Sequence, residues 1–200
     1  MAPLLSMSRL IDKVSTWVGK FTMWLILATT LISAGNALVR KFFNVSSNGL
    51  LEIQWYLFAA VFMLGAGYGL LKSSHVRIDF ISTKLSDRAR NWVDVGGIIL
   101  VLFPFCAISI SLGWPFFMQA LASGEMSQNA GGLIRWPAYV LIPLGFALLM
   151  LQGVSELIKR LAFLTGNGPD VLSSEDSKSD DQKKLEELEA QTAKLLAGDK

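Results

Sequence analysis

Lys20 and Arg40 enclose the uncharged stretch FTMWLILATTLISAGNALV, residues 21–39. It has nineteen residues, and a helix needs about 20 apolar residues to cross the roughly 30 Å hydrocarbon core of a bilayer. Eight of its residues are Leu, Ile, Val or Phe, each favouring insertion by roughly 0.3 to 0.6 kcal/mol, whereas one central charge costs about 2.5 to 3.5 kcal/mol. The stretch therefore predicts a transmembrane helix, because a helix satisfies its backbone polar groups internally.

The same pattern recurs along the chain of 200 residues, which is 52% hydrophobic, 17% charged and has a mean hydropathy of +0.45. Three further uncharged stretches lie between Glu52 and Lys72, between Asp94 and Glu125, and between Arg135 and Glu156. We therefore predict an all-α integral membrane protein with a membrane domain over residues 1–165. Its four transmembrane helices are expected at about residues 20–40, 53–72, 93–114 and 137–158.

Lys and Arg residues are distributed unequally between the two sides of these spans. Ten of them flank the spans on the side that holds both chain ends, against three on the other side. Because cytoplasmic loops carry an excess of Lys and Arg, we expect both termini in the cytoplasm.

A stripe of apolar residues with helical spacing precedes the first span, namely Met7, Leu10, Ile11, Val14, Trp17, Val18 and Phe21. Such a stripe predicts an N-terminal amphipathic interfacial helix in the plane of the cytoplasmic headgroups. The alternative that the stripe packs on another protein helix is left open.

The third uncharged stretch is too long for one simple crossing, and its prolines suggest how it is divided. Pro104 is expected to kink the helix, because proline removes a backbone donor. The residues Gly113-Trp114-Pro115 are expected to end or bend it, so that residues 116–122 form a short surface helix.

The fourth helix has recognisable boundaries. Residues 124–135 include Asn129-Ala-Gly-Gly132 and predict a loop outside the membrane. The helix is expected to begin near Trp136-Pro137, since proline is tolerated in a first turn. Near its end, Glu156 and Arg160 are spaced to pair on one helix face.

The composition changes after residue 165. Residues 166–200 hold nine acids and five lysines, which predicts a disordered, charged cytoplasmic C-terminal tail. A short coiled-coil docking segment within the tail is the alternative.

The stretch LKSSHVRIDFI, residues 71–81, places His75, Arg77 and Asp79 at alternate positions. A metal site would need more ligands, and the chain has no second histidine and a single cysteine, Cys106. We therefore interpret the three charged side chains as a structural element that orders a cytoplasmic loop.

Glu52 is the other charge that needs an explanation, because it precedes the second span. It is favourable near a helix N-terminus, or it pairs with Arg40 or Lys41 across a short connection. Trp55 is expected in the aromatic belt at the same edge. The sequence shows no mid-span carboxylate suited to an ion relay, and no phosphate-binding loop, catalytic triad or nucleic-acid patch.

Several stretches resemble the small membrane subunit of tripartite ATP-independent periplasmic (TRAP) transporters. They are Asn36-Ala-Leu-Val-Arg-Lys-Phe-Phe43, Glu52-Ile-Gln-Trp-Tyr56, Leu64-Gly-Ala-Gly67 leading into His75-Val-Arg-Ile-Asp79, Trp136-Pro-Ala-Tyr139 and Ile142-Pro-Leu-Gly-Phe146. The likeness covers about residues 20–160. The segment from Asn129 to Pro137 resembles the branch of that family associated with uptake of mannitol, chloroaromatic or 2-oxo acids.

This resemblance implies a non-enzymatic scaffold subunit in a bacterial inner membrane, working in a sodium-coupled importer of small organic solutes such as carboxylates. Its implied partners are a large membrane subunit, which holds the sodium and substrate sites, a periplasmic substrate-binding protein and membrane lipids. No cofactor is expected in this chain. By the same resemblance, Arg40 and Glu52 would organise the periplasmic mouth, and His75, Arg77 and Asp79 the cytoplasmic loop. The alternatives are a membrane anchor of an enzyme or redox complex and a stand-alone small transporter.

Overall fold

The computed structural model describes residues 2–44, 47–72 and 86–168, and these fold into a helical bundle with one hairpin loop. The helices are α1 (Ala2–Phe43), α2 (Asn48–Leu71), α3 (Asp87–Gly97), a π-helical segment (Ile98–Leu102), α4 (Phe103–Ser123) and α5 (Trp136–Leu164). Four helical stretches are long and apolar enough to cross a membrane, namely Pro3–Phe43, Asn48–Leu71, Asp87–Ser123 and Trp136–Leu164. The predicted all-α class and its four candidate spans are confirmed.

Two predicted features fall outside the described residues. His75, Arg77 and Asp79 lie in residues 73–85, and most of the predicted tail lies in residues 169–200.

Helix α1 differs from the expectation of a separate helix before the first span. It runs for 42 residues without a break, which corresponds to about 63 Å at 1.5 Å per residue. No proline follows Pro3 within α1, so nothing in the sequence stops the helix before Phe43. Its first part packs along α5 through Ser8 and Ser15. Most of the apolar stripe is exposed instead, so the alternative that the stripe packs on another protein helix also stays a prediction. The position of this first part of α1 in the headgroup plane stays a prediction.

The third stretch is one continuous helical stretch that changes from π-helical to α-helical hydrogen bonding just before Pro104 and is not interrupted at Pro115. The predicted kink at Pro104 stays a prediction. The wide π-helical turn ends just before Pro104, where Phe103 N–H donates to the Ile98 carbonyl. The predicted break at Pro115 and the separate surface helix over residues 116–122 are wrong, since α4 continues to Ser123. A proline inside a helix costs about 3 kcal/mol, whereas an interrupted helix in lipid leaves several backbone groups unpaired at several kcal/mol each.

Helix α5 is central and packs on α1, α2, α3 and α4. It approaches α2 closely where Gly145 lies on Met63, because a Cβ on Gly145 would come within 2.7 Å of the Met63 carbonyl oxygen. Gly113 of α4 lies against Ile142 in the same way. Membrane helices associate through such small residues, since lipid supplies no hydrophobic drive between them.

Candidate functional site: two polar clusters at the ends of the bundle

The first polar cluster surrounds Glu52, early in α2. Its side chain is buried, with only 4% of the residue exposed. The carboxylate accepts hydrogen bonds from the backbone N–H of Leu133 at 2.7 Å, from Asn129 Nδ2 at 2.8 Å and from the Ser127 hydroxyl. Glu52 therefore fixes the loop between α4 and α5 to the start of α2. We call these four residues the Glu52 cluster.

The expected ion pair of Glu52 with Arg40 or Lys41 is absent from the ion pairs that the described residues form. Arg40 and Lys41 are both exposed at the end of α1. Trp55 is exposed one turn beyond Glu52, as a residue of an aromatic belt would be. The sequence analysis did not predict the loop between α4 and α5 as the partner of Glu52, because this contact depends on how the loop folds back.

The loop itself is a small hairpin. Gly124 ends α4 with φ of 63°, a left-handed conformation that glycine adopts without strain. Met126 and Ile134 then pair in an antiparallel bridge, and Arg135 forms an ion pair with Glu125 at 2.8 Å. Hydrogen bonding to the Tyr139 hydroxyl, together with the Glu125 carboxylate, holds the pKa of Arg135 above its ordinary value. The predicted loop and the start of α5 at Trp136 are confirmed.

The second polar cluster is a row of alternating charges that crosses α1, α5 and α3. Asp12 contacts Lys159 at 3.2 Å, Lys159 contacts Glu156 at 2.5 Å, Glu156 contacts Arg160 at 2.5 Å, and Arg160 contacts Asp94 at 3.1 Å. We call these five residues the charge chain. Glu156 and Arg160 are nearly inaccessible, with side-chain exposures of 3% and 5%. The predicted pairing of Glu156 with Arg160 is confirmed, but the sequence did not predict its extension to α1 and α3.

Uncharged polar side chains complete the contact between α1 and α5. Gln152 accepts from the Ser15 hydroxyl at 2.6 Å and donates to Asp12 at 3.0 Å and to Glu156 at 3.2 Å. The hydroxyls of Ser8 and Ser155 are 2.7 Å apart. Because buried polar groups are costly unless they are hydrogen-bonded, these contacts make the charge chain tolerable in the interior.

A sequence signal for this contact was present but was missed. Small polar residues recur at every seventh position along α1: Ser8, Ser15, Thr22, Thr29 and Asn36. Four of the five are buried and Thr29 is half-buried, and Ser8 and Ser15 contact α5. A seven-residue repeat marks a continuous helix seam. We interpreted the neighbouring apolar stripe instead, which lies mostly on the opposite face.

Neither polar cluster has the composition of a reaction centre. Within residues 2–44, 47–72 and 86–168, no group of three His, Cys, Asp or Glu residues could hold a metal ion. Cys106 is buried in α4, and burial raises the cost of forming a thiolate there. The carboxylates are paired with cations or accept hydrogen bonds. The charge chain therefore connects helices to one another, and the Glu52 cluster connects a helix to a loop, and neither presents a carboxylate that is available to a ligand.

Residues 29–163 match the model of the family described as tripartite ATP-independent periplasmic transporters, DctQ component. The chain belongs to this family. It is therefore a small, multi-pass membrane component of a TRAP transporter, as the sequence resemblance indicated. No curated protein and no solved structure matches the chain.

The DctQ match includes the two clusters to different extents. It contains the Glu52 cluster completely, together with Glu156, Arg160 and Asp94. It begins after Asp12, so the α1 end of the charge chain lies outside the matched residues.

Proposed function

We propose that this chain is the static scaffold subunit of a sodium-coupled TRAP importer, and that it braces the large membrane subunit that moves. The charge chain is the observation that carries this proposal. It joins three helices at one end of the bundle, and its central members Glu156 and Arg160 are almost fully buried.

Relative motion of these helices would separate buried charges from their partners. Leaving such a charge unpaired costs about 3 to 5 kcal/mol, because desolvation is then not compensated. The buried charge chain therefore supports a subunit whose helices stay fixed relative to one another through the transport cycle. At the other end of the bundle, the Glu52 cluster restrains the loop between α4 and α5 in the same way.

The surroundings of the subunit follow from the charge bias and the family. Residues 1–165 form the membrane domain and residues 166–200 a cytoplasmic tail, with both termini on the cytoplasmic side of a bacterial inner membrane. A large membrane subunit carries the sodium and substrate sites, and a periplasmic binding protein delivers the solute. The solute class is small organic anions such as 2-oxo acids, supported by the likeness of residues 129–137. Membership of a transporter family argues against an enzyme or redox anchor.

Transport by reconstituted components tests the function. Proteoliposomes would hold the cognate large subunit alone, this chain alone, or both, with the binding protein and a panel of radiolabelled 2-oxo acids and other carboxylates outside. We expect uptake only with both membrane subunits and only with an inward sodium gradient. Uptake by this chain alone would overturn the scaffold assignment.

A distance measurement tests whether the scaffold is static. Spin labels at the exposed positions Lys13 on α1 and Trp92 on α3 report on the helices that the charge chain joins. We expect their separation in the complete transporter to differ by less than about 2 Å between sodium-free and substrate-loaded states. The variant Asp94→Asn is the control and should broaden the distance distribution. A larger shift in the unmodified chain would show that the subunit moves with the transport cycle.

A further inference from the structure

The outer face of α1 carries a continuous apolar ridge opposite the polar seam. Its members recur every seven residues and are each 57–70% exposed: Leu10, Trp17, Trp24, Leu31 and Leu38. We call these five residues the α1 ridge. From the proposed function, we infer that the α1 ridge is the docking surface for one long helix of the large membrane subunit.

The length of the α1 ridge argues against lipid tails as its only cover. From Leu10 to Leu38 it extends about 42 Å along the helix, whereas the hydrocarbon core is about 30 Å thick. Fitting it into that core would need a tilt of about 45°, beyond the 0–40° that membrane helices show. A second membrane helix covers such a ridge along its whole length.

The exposed apolar face of α4 provides the comparison. Together with the π-helical segment before α4, it extends from Leu100 to Phe116 and includes Ile108 and Leu112. Its length is about 24 Å, so it fits within the hydrocarbon core. Lipid therefore suffices for α4 and does not suffice for α1.

The two tryptophans of the α1 ridge also favour a protein partner. Trp17 and Trp24 are two turns apart, so they cannot both lie at the same depth in one interfacial belt. Neither indole N–H donates a hydrogen bond to a residue that the structure describes. Tryptophan is enriched among the residues that dominate binding at protein interfaces, where its N–H finds an acceptor.

Charge indicates which side chains the partner helix presents along one edge of the α1 ridge. Arg9, Lys13 and Lys20 are exposed along one edge of the α1 ridge, and none forms an ion pair within the described part of the chain. A partner helix with carboxylates along the matching edge complements them. The seven-residue repeat predicts a shallow crossing of about 20°, as in left-handed helix pairs.

Site-specific photocrosslinking in the intact transporter tests this inference. A benzoylphenylalanine replaces Trp17, Trp24 or Leu31 in turn, and Ile108 or Leu112 on α4 serves as the control at a comparable exposure. The chain is expressed with its cognate large subunit, irradiated in membranes, and the adducts are identified by mass. We expect adducts with one helix of the large subunit from the α1 positions and lipid adducts alone from the α4 positions.

The opposite results are distinct from one another. The inference that the α1 ridge is the docking surface would be overturned by large-subunit adducts from α4 alone, by lipid adducts alone from α1, or by adducts between two copies of this chain. If the complex is intact in that experiment, the proposed scaffold function still stands. A large subunit that does not co-purify with the unmodified chain would overturn both proposals.

A pair of double variants gives an independent readout. The variant W17A/W24A should reduce the amount of large subunit retained in mild detergent about tenfold or more. The matched variant I108A/L112A on α4 should retain it fully. The yield and elution volume of the chain itself show whether each variant still folds. Equal retention by the two variants would refute the inference.

Discussion

Replacing Glu156 by Gln removes the central anion of the charge chain and leaves the shape of the side chain almost unchanged. Glu156 lies between Lys159 and Arg160, at 2.5 Å from each. After the change, the acidic partners that remain among the described residues are Asp12 for Lys159 and Asp94 for Arg160. Lys159 and Arg160 then have one buried carboxylate fewer to compensate their positive charges. The uncompensated charge destabilises the packing of α5 on α1 and α3.

The magnitude follows from the burial of this site. Removing one partner of a buried ion pair costs about 3 to 5 kcal/mol, because a charge is left uncompensated. Asp94 remains at 3.1 Å from Arg160 and Asp12 at 3.2 Å from Lys159. Because both cations keep an acidic partner, we expect a loss at or below the lower limit of this range, about 2 to 3 kcal/mol. For a chain of this size each kcal/mol lowers the midpoint of thermal unfolding by about 2 to 4 °C, which gives a fall of about 4 to 12 °C.

Thermal unfolding of the purified subunit in nanodiscs, followed by tryptophan fluorescence, measures this fall at one heating rate. Glu125→Gln is the matched control, because it breaks the solvent-exposed pair with Arg135 by the same chemical change. The double variant E156Q/R160M should lose less than the sum of the two single losses, since it removes both partners of one pair. A midpoint for E156Q equal to that of E125Q would refute the structural role of the charge chain.

Two further predictions concern the Glu52 cluster and the contact between α2 and α5. Glu52→Gln should raise the rate of amide hydrogen exchange in residues 125–135 about tenfold, because the Leu133 N–H loses its carboxylate acceptor. The control Arg40→Gln should leave that rate unchanged. Equal effects of the two variants would contradict the assigned contacts. Gly145→Val should destabilise the bundle by about 1 to 3 kcal/mol or more, because its side chain would overlap the Met63 backbone. Gly35→Ala, with no atom within 4 Å of the added Cβ, should be neutral or stabilising in the same unfolding measurement.

The Glu52 cluster shows where reasoning from sequence stopped. The position of Glu52 at the start of a span and the polar character of residues 124–135 were both evident from the sequence. The carboxylate nevertheless had several cations and donors within chain reach, and Lys41 and Arg40 were the nearest cations in sequence. The fold of the hairpin chose Ser127, Asn129 and the Leu133 N–H instead.

Pro115 shows a second limit, in the assignment of helix boundaries. Proline predicts an interruption from its local chemistry, and Pro104 does follow a widened turn. At Pro115 the helix continues, and the rings of Trp114 and Phe117 contact each other across it at 5.6 Å. The cost of unpaired backbone groups in lipid outweighs the local cost of the proline.

The amino-acid sequence was sufficient to predict that this protein lies in a lipid bilayer, that its fold is all-α and that it resembles the TRAP family. Four uncharged stretches, each bounded by charges, are sufficient because hydrocarbon excludes unpaired charge and requires each backbone segment to form its own hydrogen bonds. These constraints act on each segment separately, so they can be recognised from the sequence of that segment.

The tertiary structure alone decided which charges meet. Asp12 and Lys159 are 147 residues apart, and their contact depends on the register of α1 against α5. That register is set by close packing and hydrogen bonds along the seam between the helices, where Ser8 contacts Ser155 and Ser15 contacts Gln152. Such packing depends on the fit of two surfaces at once, and no property of either segment alone specifies it.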